Sequence, residues 1–132
     1  MKTIIFSLLA ACATASSAQT LNADETARLR SFLEQESAQA GKKNHEQLGI
    51  TQLENVDWKT VPGLVWNTGG RLDSLMWIER NLAGDLDISL FTALRVVHCE
   101  TNSLRSLDVS GNTAMVYMDC FENELTELDI TT

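Results

Sequence analysis

Apolar and polar positions between Leu94 and Leu125 spell one eleven-residue phrase twice. The copies are LRVVHCETNSL (Leu94 to Leu104) and MVYMDCFENEL (Met115 to Leu125), and their starts lie 21 residues apart. Apolar residues hold the first, fourth and last places, Cys the sixth and Asn the ninth. Places four to six predict a short strand whose side chains alternate inward and outward. Inward fall Val97 and Cys99, then Met118 and Cys120. A looser phrase, beginning 22 residues before Leu94, puts Leu72, Leu75, Trp77 and Leu82 in the same places. It has Arg80 where Asn belongs and an extra residue around Gly84. Outward fall three columns: Ser74-Val96-Tyr117, Met76-His98-Asp119 and Ile78-Glu100-Phe121. Asn102 and Asn123 sit where the chain leaves each strand, where a short amide can satisfy backbone groups that a tight bend leaves unpaired.

The pattern upstream is different. Leu21 to about Gln39 predicts an amphipathic helix with a narrow stripe of Leu29, Phe32 and Leu33. Asn22 and Glu25 supply an N-cap with a capping-box acid, and Gly41 stops the helix. A second short helix spans Asn44 to about Leu48. Leu64-Val65-Trp66 predicts a strand and Asn67 to Gly70 a turn. Arg71 to Trp77 alternates, so the two pieces predict a hairpin.

Composition divides the 132 residues into a leader and one domain. Lys2, the apolar run Thr3 to Ala11 and the small residues through Ala18 read as a secretory signal peptide. Cleavage after Ala18 gives a soluble chain starting at Gln19. Leu9-Ala10-Ala11-Cys12 offers the alternative of a lipobox, with the protein lipid-anchored at Cys12. The domain then divides into an N-terminal cap over 19–70 and repeats over 71–132, about 2.5 to 3 coils. Losing Lys2 takes the formal charge from −8 to −9. Such acidity disfavours nucleic acid, whose phosphates demand a basic footprint.

The downstream run TALRVVHCETNSLRSLDVSGNTAMVYMDCFENELTELDITT (Thr92 to Thr132) resembles the roughly 21-residue, internalin-like leucine-rich repeats of secreted proteins from the Bacteroides group. The upstream run DWKTVPGLVWNTGGRLDSLMWIERNLAGDLDIS (Asp57 to Ser89) is similar to the entry segment of extracellular leucine-rich repeat proteins. The expected fold class is therefore an α/β leucine-rich repeat solenoid. Its short parallel β-sheet would have about three coils, its convex side would be loop or 3₁₀ turns, and a helical and hairpin cap would precede it. The resemblance implies a secreted or cell-surface, non-catalytic module that recognises a protein partner through the concave sheet face. The alternatives are carbohydrate binding at the cell surface and an accessory domain of a longer protein. Leu125 to Ile130 repeats Leu104 to Val109 and the sequence then stops at Thr132. That predicts either a truncated gene or self-association through the last coil.

Chemistry-bearing residues add little. The candidate ligand-binding residues are the outward Met76, Ile78, Val96, His98, Glu100, Tyr117, Asp119 and Phe121, because exposed aromatic and apolar side chains favour protein contact or sugar stacking. Cross-strand packing alone is the competing explanation. Cys99 and Cys120 lack the C-x-x-C spacing of a metal site and are expected as buried free thiols, with a disulfide as the alternative. His98 beside Asp119 could orient a base for Ser74 or Ser103, yet no nucleophile elbow or metalloprotease motif accompanies them. No catalytic residue, metal or cofactor is expected, and His45 reads as solvated.

Overall fold

The computed structural model describes residues 20–131. The signal peptide, its cleavage after Ala18 and the lipobox at Cys12 lie outside the described residues. Helix α1 spans Ala23–Leu33 and α2 spans Asn44–Gln47, with a 3₁₀ turn at Trp58–Thr60. Seven strands follow: β1 Leu64–Trp66, β2 Leu72–Met76, β3 Ala83–Asp87, β4 Val96–His98, β5 Ser103–Asp108, β6 Tyr117–Asp119 and β7 Glu127–Asp129.

These strands form two sheets, one of order β1-β2-β4-β6 and one of order β3-β5-β7. This corrects the expectation of a leucine-rich repeat solenoid with a single short parallel sheet. The chain is a small mixed α/β fold. Its four-stranded sheet is mixed in direction, because β1 runs antiparallel to β2 while β2, β4 and β6 are parallel. The segments expected as loop or 3₁₀ turns pair instead as a second, parallel sheet. They escape a period-two reading because Leu104 and Leu107 are buried three residues apart and β3 bulges between Gly84 and Asp85.

One apolar cluster joins both sheets to the helices. Leu75, Trp77, Val97 and Cys99 enter it from one side, Leu86, Leu104 and Leu107 from the other, and Leu29, Phe32 and Leu33 from α1. Phe32 stacks on Trp77 with ring centroids 5.7 Å apart. Gly63 takes φ +83° against this layer, and a Cβ there would lie 2.7 Å from Trp77 Cδ1. Glycine meets both demands without cost.

Helix α1 ends earlier than the apolar pattern suggests. Asn22 Oδ1 accepts from Glu25 N as expected of an N-cap, but the Glu25 carboxylate does not close a capping box. It is buried and instead takes hydrogen bonds from Arg71 Nε and Leu72 N, each 2.9 Å. Past Glu34 the chain turns back through Gly41 into a bridge between Glu36 and Lys43. Two amides there dress the open edge of β3. Asn44 bonds both Ala83 N and Ala83 O, and Gln35 bonds both Asp85 N and Asp85 O. Side chains thereby replace a neighbouring strand on an edge that would otherwise pair with another chain.

Candidate functional site

The outward face of the four-stranded sheet gathers all eight candidate residues. Parallel register places Ser74, Val96 and Tyr117 side by side, and likewise Met76, His98 and Asp119. Past the strand ends the third column continues, with Glu79 N bonded to Glu100 O and Thr101 N bonded to Phe121 O. Met76, Ile78, Tyr117 and Phe121 are exposed large apolar side chains, and Val65 on β1 joins them beside Ser74. Val96 is half-buried.

The polar members sit lower. The side chains of His98 and Glu100 are only 27% and 20% exposed, against 71% for Phe121. His98 Nδ1 lies 3.3 Å from Glu100 Oε1, so its carboxylate partner is Glu100 two residues on rather than Asp119 across the ladder. Tyr117 packs its ring against His98 with centroids 4.9 Å apart. Asp119 Oδ1 accepts from Phe121 N at 3.0 Å, which fixes that carboxylate. Ligand atoms of His98, Glu100 and Asp119 all lie within 4.8 Å of one another. The sequence columns separate Glu100 from the other two. Its arrival is the work of one buried residue, Cys99, which leaves His98 and Glu100 on the same side of the strand.

The residues weighed for acyl transfer are not assembled. Ser74 Oγ donates to Asp73 Oδ2 at 2.9 Å, and Ser103 opens β5 in the other sheet. His45 is not simply solvated, since its Nδ1 lies 2.6 Å from Ile50 O.

Cys99 and Cys120 are free thiols. Burial pushes the Cys99 thiol up to about 12, with smaller contributions from Cys120, Glu100 and Asp119. Burial also raises Cys120, with Asp119 second. Neither is a ready nucleophile, because the thiolate is the reactive form. At the face's edge Arg95 grips Asp73 through Nε at 2.7 Å and Nη2 at 3.2 Å, and that guanidinium holds the Asp73 carboxyl below its ordinary range.

A further concavity lies away from this face. A shallow groove of about 670 Å³ runs between the turn after α1 and strands β3 and β5, lined by Gln35, Lys43, Gly84, Arg105 and Glu124 among others. Mixed charge and wide mouth set it apart from the mostly apolar, enclosing pockets that take small molecules. No helix among the described residues is long and apolar enough to cross a membrane. Compared with protein-family models, with characterised proteins and with solved structures, the chain matches none.

Proposed function

We propose that this chain is a secreted, non-catalytic recognition module that contacts a protein partner through the outward face of its four-stranded sheet. The observation that carries the reading is the gathering of exposed Val65, Met76 and Tyr117 on one face of one sheet, with Ile78 and Phe121 exposed just past the ends of its strands. Contiguous exposed apolar surface marks interaction sites, and buried aromatic anchors supply most of an interface's binding energy. The leader-like N-terminus supports secretion, with lipid anchorage at Cys12 as the alternative route to the cell surface. A partner recovered from the extracellular fraction should lose at least tenfold in affinity on Tyr117→Ala or Phe121→Ala, the range expected of central aromatic anchors. Unchanged affinity in both variants would sink the reading.

Carbohydrate binding is the second reading. It is favoured by Tyr117 and Phe121 standing on either side of the Asp119 carboxylate, an aromatic platform with a hydrogen-bond acceptor. Glycan-array binding abolished by the same two substitutions, with no protein partner recovered, would select it. We further propose self-association through the edges of β6 and β7 that have no strand neighbour among the described residues, where Val116, Leu128 and Ile130 are exposed.

A further inference from the structure

We propose that His98, Glu100 and Asp119 form a binding site for a divalent metal ion of the zinc class. His98 closes β4 and Glu100 follows two residues on, while Asp119 lies beside His98 in the next strand. The spacing suits a small ion. Bonds of ~2.0–2.2 Å to nitrogen and oxygen in a tetrahedron set ligand atoms about 3.4 Å apart. His98 Nδ1 and Glu100 Oε1 already stand 3.3 Å apart, and the widest separation in the trio is within 4.8 Å.

An independent observation concerns the Glu100 carboxylate. Glu100 Oε2 is buried and accepts no hydrogen bond from the described residues. A desolvated carboxylate oxygen without a donor is costly, and such orphans call for an ion or a bound water. The ion pairs among the described residues give neither Glu100 nor Asp119 an arginine or lysine. Two carboxylates and an imidazole therefore meet with a net negative charge, lower in the face than the surrounding Met76, Ile78, Tyr117 and Phe121.

That apolar rim limits competing solvent and strengthens charge interactions within it. The ligands are also held in place: Phe121 N donates to Asp119 Oδ1, and Tyr117 packs on the imidazole. One nitrogen and two oxygens suit zinc, cobalt or manganese better than a thiolate-seeking ion. Three protein ligands leave at least one outward position for water or a partner's donor. The site does not rest on the protein-recognition reading, since the metal alone is the probe.

Titration of the untagged full chain with Co²⁺ and with Zn²⁺ tests it. The expected result is one ion per chain, at least tenfold weaker in each of His98→Ala, Glu100→Gln and Asp119→Asn, and unchanged in His45→Ala. Zn²⁺ should also raise the unfolding temperature of the unaltered chain and not that of the three variants, since a ligand bound only to the native state stabilises it. Circular dichroism of each metal-free variant establishes that it is folded. Absence of binding, binding that survives all three substitutions, or a thiolate-to-cobalt charge-transfer band would overturn the proposal.

Discussion

Ionising Cys99 in place would strand a charge in the apolar cluster, where its sulfur lies 3.6 Å from the Asp119 carbonyl to which the thiol donates. The folded thiol therefore titrates near 12, while an unfolded one titrates near its ordinary value of about 8.5. Below the lower value both states hold the proton and the contribution to stability is complete. Between the two values the unfolded chain releases its proton and the folded chain keeps it, so stability falls as pH rises. The unfolding equilibrium should shift by up to tenfold per pH unit in that window, relative to Cys99→Ala, which removes the ionisable group without adding volume. Urea unfolding of both proteins from pH 8 to 11 reads the difference. A constant gap between them would show that Cys99 ionises freely. The inward, free state of Cys99 was legible from its place in the phrase. The half-burial of Cys120 was not, because it depends on what lies beyond β6 rather than on the phrase itself.

Strand and turn depend on each other through Asn102. Its Oδ1 accepts from Arg80 N and Leu82 N, and its Nδ2 donates to Trp77 O, Cys99 O and Glu100 O. One amide thus stitches the exit of β2 and the exit of β4 to the approach of β3. Asn123 repeats the geometry one strand later on Leu104 N, Cys99 O and Cys120 O, in more open surroundings. Asn102→Ala removes partners from part-buried backbone groups on two layers, and unmet groups cost about 1–3 kcal/mol each. The expected loss is roughly 2–4 kcal/mol in urea unfolding, with a smaller one for Asn123→Ala. Equal losses would mean that Asn102 serves its own turn alone. The spacing of the asparagines announced these turns, and the alternation around Val97 and Met118 announced β4 and β6. Strands β3, β5 and β7 stayed hidden, since Leu104 and Leu107 at a spacing of three resemble a turn until Gly84 and its bulge are seen in register. The partnership of Glu25 with Arg71, 46 residues on, has no local signature at all.

At the scale of the molecule the two ends of the sheets are treated unequally. Beside β3, Asn44 and Gln35 occupy the backbone groups of the edge, whereas among the described residues β6 and β7 have a strand neighbour on one side only. The core thins toward that side: Val97 and Cys99 are buried, and their counterparts Met118 and Cys120 are half-buried. Val109, Asn112, Met115, Met118 and Ile130 line a cleft there of about 210 Å³, and Asn112 Oδ1 within it lacks a donor. Unpaired N–H and C=O groups beside exposed apolar side chains are a template for another strand, and a second copy offers the matching edge. The net charge of −8 opposes that encounter at low ionic strength, so screening should promote it. Light scattering over a range of concentrations should therefore give a mass that rises with concentration, and more steeply in added salt. Leu128→Lys and Ile130→Lys place charges on exposed positions of this edge and should return the chain to a monomer without unfolding it. A monomer at every concentration and salt level, or association unaffected by both lysines, would show that the edge is left to water.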